Sequence, residues 1–127
     1  MTKLERKLIE QARLIVPNLI DNKHRHVSFL VVRNKIISVG WNSYCKRSML
    51  AKKFNYYDAF VHAELNAICH ANRNFNFNKA TMFNVRISKD NEIRMSMPCK
   101  SCTKLLYAFN IKHCYYTCNE GGFVKYY

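Results

Sequence analysis

Acidic residues are scarce in this chain. Eight Asp and Glu stand against 21 Lys and Arg in 127 residues, a formal charge of +13. A field of that sign draws phosphate-bearing partners and speeds their encounter, but it carries no information about fold. Long apolar runs are missing too. No stretch approaches the roughly 18–20 consecutive apolar residues of a membrane span. The opening Met1-Thr2-Lys3-Leu4-Glu5-Arg6-Lys7 is charged and amphipathic, unlike the apolar centre of a secretory leader. No membrane partner is expected, and a soluble, cytoplasmic protein is. Three glycines and two prolines leave no linker or low-complexity segment, and no internal repeat is visible. With 49% apolar residues, residues 1–127 read as one domain with its own core. Of the six cysteines, two have metal spacing, while Cys45, Cys69, Cys114 and Cys118 are scattered among apolar residues. An intracellular setting argues against reading them as a disulfide framework.

The periodicity predicts an alternation of helices and strands. Residues 2–20 read as a helix, with Thr2 and Glu5 at capping-box spacing and Leu4, Leu8, Ala12, Ile15 and Leu19 on one face. Pro17 ends or kinks it, and His24-Arg25-His26 follow as a basic loop. Residues 27–33 and 36–41 are β-branched and aromatic runs split by Asn34-Lys35, a hairpin whose first strand is apolar enough for burial on both faces. Residues 42–58 lack periodicity. They interleave Lys46, Arg47, Lys52 and Lys53 with Tyr44, Phe54, Tyr56 and Tyr57, and a loop of that length in a small domain is usually functional or mobile. A second helix is expected from Val61 to about Asn72, with Leu65, Ile68 and Cys69 inward. A strand over 80–88, a turn at 89–92 and an extended segment over 93–97 come next. A helix marked by Cys102, Leu105, Leu106 and Phe109 precedes a strand over 112–118, and residues 123–127 add a short last one. The order α-β-β-α-β-α-β is that of an α/β fold, with helices on a mixed sheet.

Two stretches carry chemistry. Val61-His62-Ala63-Glu64-Leu65-Asn66-Ala67-Ile68 supplies an imidazole and a carboxylate. Pro98-Cys99-Lys100-Ser101-Cys102 supplies two thiols, the first lying 37 residues beyond His62. His and Cys are tetrahedral zinc ligands, and three of them leave a fourth position for water, as in catalytic sites. Glu64 follows His62 too closely to be a comfortable fourth ligand, but a carboxylate there can move a proton. A structural zinc would close with a fourth Cys or His, and Cys45, Cys69, His70, Cys114 and Cys118 offer no paired spacing. His62 and Cys99 both open helices, whose positive N-terminal ends favour thiolate over thiol.

The H-x-E…P-C-x-x-C pair is the known signature of zinc nucleobase deaminases. From about Val27 to Tyr116 the chain resembles the cytidine deaminase superfamily, above all its deoxycytidylate deaminase branch and related viral deaminases. Residues 36–42, 62–68 and 98–102 carry the resemblance. It implies a cytidine deaminase-like three-layer fold, a central five-stranded mixed sheet with helices on both faces. It implies Zn2+ held by His62, Cys99 and Cys102, with Glu64 as proton shuttle. The backbone amides of Ala63 and Cys99 match those bordering the substrate carbonyl and the attacking water, and Asn42 matches a sugar contact. A homo-oligomer is expected. The basic-aromatic loop from Tyr44 to Tyr57 matches no nucleotide-specific motif of the family, and no C-terminal helix follows the last strands.

The expected activity is hydrolytic deamination of a cytosine nucleotide, deoxycytidylate or cytidine in type, to uracil and ammonia. Lys52 and Lys53 are the expected phosphate contacts, with Lys46 and Arg47 as alternatives. A second reading is cytosine within single-stranded DNA or RNA, suited by the basic loop 44–57 and its tyrosines. A tRNA adenosine deaminase shares the zinc signature. A basic nucleic-acid-binding module with a structural zinc is the non-enzymatic reading, which leaves Glu64 without a purpose.

Overall fold

The computed structural model describes residues 1–19, 25–44, 53–54, 60–72 and 74–127. Helix α1 spans Lys3–Ile15 and runs into a 3-10 turn at Val16–Asn18. Its start is the capping box read from the sequence. Glu5 N–H donates to Thr2 Oγ1 at 3.1 Å, and Thr2 N–H donates to Glu5 Oε1 at 2.9 Å. Two of the helix's orphan donors are satisfied in this way.

Strands β1 (His26–Val32) and β2 (Lys35–Trp41) form the expected hairpin. Its turn falls at Arg33-Asn34, with φ of 49° and 64°, one residue earlier than the sequence suggests. Two consecutive left-handed residues match the right-handed strand twist, and that geometry overrides the apparent break at Lys35. His26, read as loop, begins β1. The five central residues of β1 are buried, as its apolar run requires. Next come two-residue strands β3 (Ser43–Tyr44) and β4 (Phe60–Val61), paired antiparallel. Val61 therefore belongs to a strand, and helix α2 occupies Ala63–His70, not 61–72. Strands β5 (Thr81–Ile87) and β6 (Ile93–Arg94), helix α3 (Lys100–Ala108), and strands β7 (His113–Thr117) and β8 (Phe123–Lys125) complete the order.

The main sheet runs β2-β1-β5-β7-β8, with β6 pairing the end of β5. The short β6 makes it six strands where five were expected. It is mixed, because β5 and β7 are parallel and every other pair is antiparallel. The α3 crossover joins the parallel pair. Strand alternation then sends successive side chains to opposite faces. On one face α1, through Leu8, Ile9 and Ala12, covers Val27, Phe29, Val31, Phe83, Val85 and Ile87. On the other, α2 and α3 bring Leu65, Ile68, Leu105 and Leu106 onto Leu30, Met82 and Cys114. This is the α/β architecture with helices on both faces.

Candidate zinc and deaminase site

The strand register prepares a gap under α2. Gly40 of β2 is opposite Ser28 of β1, and Ser28 is opposite Asn84 of β5. Gly40 meets α2 backbone to backbone. A Cβ there would collide with the Ala67 amide nitrogen and the Ala63 carbonyl oxygen, and would lie 2.7 Å from Ala67 Cα. Side chains then pin α2 to β2. Ser38 Oγ donates to Ala67 O at 2.6 Å, Trp41 N–H donates to Asn66 Oδ1 at 3.0 Å, and His70 Nδ1 lies 2.9 Å from Val39 O. The His70 ring lies against Trp41 at a tilt of 55°, with ring centroids 5.2 Å apart. Cys69, expected inward, is exposed. The contacts of Asn66 and His70 set the helix's rotation, and that turns position 69 outward.

With α2 fixed, its start faces that of α3. His62 is the N-cap of α2 and Cys99 the N-cap of α3. His62 Nδ1 lies 3.6 Å from Cys99 Sγ and 3.6 Å from Cys102 Sγ, and the three donor atoms all fall within 4.8 Å of one another. Zinc distances of about 2.0–2.1 Å to nitrogen and 2.3 Å to sulfur, at a tetrahedral angle, require an N···S separation of about 3.6 Å. The donor set fits Zn2+ in kind and in spacing. Among the described residues it is the one such group.

The Cys99 thiol is ready for a cation. Cys102 N–H donates to Cys99 Sγ at 3.4 Å. Bonding from the Cys102 side chain, helped by His62 and opposed by burial, brings the Cys99 thiol down to about 4. Cys114, buried away from any donor of that kind, goes the other way, and desolvation pushes its thiol up. Cys69, Cys99, Cys102, Cys114 and Cys118 form no disulfide with one another.

Glu64 is buried within the first turn of α2. Desolvation raises its carboxyl above the usual range and the nearby Cys99 charge adds to this, while its own backbone N–H, His62 and Cys102 oppose it. A carboxyl moved toward neutrality is suited to both taking and giving a proton. Ala63 is buried as the first residue of α2, so its amide has no intrahelical partner. Asn42 immediately precedes β3 and His62 immediately follows β4. The Ser43–Val61 pair therefore sets Asn42 on the next rung from His62. Asn42 Oδ1 is buried without a hydrogen-bond partner, a costly state that a ligand hydroxyl would relieve. Lys53 is exposed, 6.0 Å from the centroid of the Phe54 ring. Lys46, Arg47, Lys52, Tyr56 and Tyr57 lie outside the described residues.

The sequence reading missed a buried polar group behind the site. Asn84 Nδ2 donates to Glu64 Oε2 at 3.0 Å, and Ser28 Oγ donates to Asn84 Oδ1 at 2.8 Å. Ser96 Oγ donates to Asn84 O at 2.8 Å and sits 2.8 Å from Thr117 Oγ1, which donates to Arg94 O at 2.7 Å. A signal did exist: Asn is disfavoured in strands, yet Asn84 stands between the apolar Met82-Phe83 and Val85.

Comparison with known proteins bears on the geometry. The chain is similar in structure to the dCMP deaminase of cyanophage S-TIM5 in apo form. The TM-score is 0.64 and the identity 18%, over 91% of this chain and 84% of that one. The same phage enzyme in complex with dCMP and dUMP gives a TM-score of 0.64 at 18% identity, over 91% and 82%. At that identity the likeness speaks for the fold. No curated protein matches the sequence. The family described as the cytidine and deoxycytidylate deaminase zinc-binding region matches residues 2–118. That match spans nearly the whole sequence, and the chain belongs to the cytidine and deoxycytidylate deaminase family.

Proposed function

We propose that the chain is a single-domain, zinc-dependent deaminase that hydrolyses the exocyclic amine of cytosine in a free nucleotide, releasing uracil nucleotide and ammonia. The observation that carries this is the pair of 3.6 Å separations from His62 Nδ1 to the two sulfurs, with a buried carboxylate two residues beyond His62 in the first turn of α2. His62, Cys99 and Cys102 hold the metal, and Zn2+ bound there supplies an activated water at neutral pH. Glu64 takes one proton of the attacking water and gives it to the ring nitrogen, then moves the water's second proton to the exocyclic amine as the C–N bond breaks and ammonia leaves. Burial of Glu64 keeps bulk water from competing for those protons. The Ala63 and Cys99 amides orient the substrate carbonyl and the attacking water. Asn42 offers Oδ1 to a sugar hydroxyl, and Lys52 and Lys53 contact phosphate. The phage enzyme whose structure holds dCMP and dUMP supports deoxycytidylate as the first substrate to try.

The +13 charge favours a second reading, cytosine in a single strand. Ammonia release from deoxycytidylate, cytidine and a cytosine-containing oligonucleotide, measured across a salt series, separates the two. A free nucleotide should be turned over faster, with a shallow salt dependence and one dominant basic contact that Lys52→Ala/Lys53→Ala weakens. Steep salt dependence, with a slope of roughly −0.7 per neutralised phosphate, together with turnover of the strand, would favour the second reading. Elemental analysis should find one zinc per chain, lost in Cys102→Ala. A metal-free wild type would sink the proposal.

A further inference from the structure

A shuttle carboxylate must be aimed as well as ionised, and a buried Glu on the first turn of a helix has rotamers to choose from. Asn84 removes that choice. It projects from the centre of the sheet, 2% exposed, on the row formed by Gly40, Ser28 and Asn84. Its amide has a donor end and an acceptor end, and each is committed. Nδ2 reaches Glu64 Oε2 at 3.0 Å and Ser96 O at 3.4 Å, while Oδ1 receives the Ser28 hydroxyl at 2.8 Å. Rotating the amide by half a turn would bring Oδ1 against the carboxylate and lose the Ser96 contact. The Glu64 carboxylate and the Ser96 carbonyl, both acceptors, therefore fix which end faces Glu64, and the Ser28 hydroxyl donates to the end left over.

The same residue reaches the cysteine arm. Ser96 Oγ donates to Asn84 O at 2.8 Å, and Ser96 lies three residues before Cys99. Ser96 N–H donates to Thr117 O at 2.9 Å, and Thr117 N–H donates to Ser96 Oγ at 2.8 Å. One strand residue thus touches the α2 carboxylate and the segment that delivers a thiol. We propose that Asn84 is a positioning residue for deamination: its side-chain amide, held between the Ser28 hydroxyl and the Ser96 carbonyl, keeps the Glu64 carboxylate in register with the Cys99 arm. The inference rests on the deaminase reading above for its effect on turnover, and on geometry alone for the contact.

The test separates those two dependencies. Asn84→Asp keeps shape and the acceptor for Ser28, but sets an oxygen against Glu64 where a donor stood. It should lower the melting temperature. It should also cut kcat on deoxycytidylate by about 10²-fold, the scale of a misplaced catalytic group. The Michaelis constant should stay within a factor of about two, and zinc content should be unchanged. Adding Glu64→Gln restores a donor–acceptor pair with the polarity reversed, so the double variant should regain melting temperature while remaining inactive. No regain relative to the sum of the two single variants would overturn the contact, whether or not any substrate is turned over. Wild-type turnover of no cytosine compound would instead overturn the deaminase reading and leave the stability cycle to judge the contact. If the contact stands but kcat is unchanged, or only the Michaelis constant rises, the positioning role is overturned. Should Asn84→Asp not fold, Ser28→Ala decides. It should lower kcat with full zinc content, and an unchanged kcat overturns the proposal.

Discussion

The two faces of the main sheet are built on different terms. Under α1, the residues of β1 and β5 are Val27, Phe29, Val31, Phe83, Val85 and Ile87, an unbroken apolar layer. Under α2 and α3 the layer begins in the same way, with Leu30 beside Met82, and then turns polar at Ser28 beside Asn84. Burial of polar groups is tolerated only with partners, so the second face must specify hydrogen bonds one by one, whereas the first needs only volume and pattern. One face supplies stability, and the other spends part of it to hold chemical groups in fixed directions.

The contrast can be broken from either side. The largest effect should come from Glu64→Gln on the polar face. Deamination should fall by about 10²–10⁴-fold, the range for a general acid–base group. Melting temperature and zinc content should stay near wild type, read by ammonia assay, calorimetry and metal analysis. Phe29→Ala on the apolar face should do the reverse. A loss of about 3–5 kcal/mol is expected for a buried aromatic, measured by urea unfolding, while zinc per folded chain and kcat per zinc persist. Gly40→Ala tests the seam where α2 rests on β2. Because the new Cβ meets backbone, destabilisation should lie at or above the top of the about 1–3 kcal/mol typical of overpacking. Zinc affinity should fall with it, because His62 moves with the helix. Gly122→Ala, with nothing within 4 Å, is the control and should change stability by less than about 0.5 kcal/mol.

A different kind of effect concerns charge. In the fold the Cys99 thiol is at about 4, against 9.0 ordinarily. Between those values the unfolded chain holds a proton that the folded chain does not, so the stability of the zinc-stripped protein should rise with pH across that window. It should be fullest above about 9, and lost as pH falls toward 4. Urea midpoints at pH 5 and pH 8 should show the slope, and Cys99→Ser should flatten it. No substitution among the α1-facing residues should do so.

The same division explains what could be read from the sequence. β-Branched and aromatic runs revealed the β1–β2 hairpin, spacing revealed the α1 capping box, and His62 with the Cys99–Cys102 pair revealed the metal donors. All of these are local patterns. Asn84 escaped because its partners Ser28 and Glu64 are 56 and 20 residues away, and only strand register brings them together. Val61 reads as part of α2 because a two-residue strand has no periodicity to detect. Cys69 reads as inward because its neighbours are apolar, although Asn66 and His70, bonding the β2 backbone, set the helix's rotation.

The small β3–β4 pairing has a consequence for how such a protein can change. It closes the chain at Ser43–Val61 and Tyr44–Phe60, with Asn42 and His62 just outside the clasp. Whatever chain lies between Tyr44 and Phe60 begins and ends at fixed points. Each doubling of a loop's length costs only about 0.6 kcal/mol in closure entropy. Insertions and deletions there are therefore inexpensive in stability, and they displace neither the imidazole nor the amide that flank the clasp. The chain can then vary in length between the two ends of the clasp while Asn42 and His62 keep their places beside it.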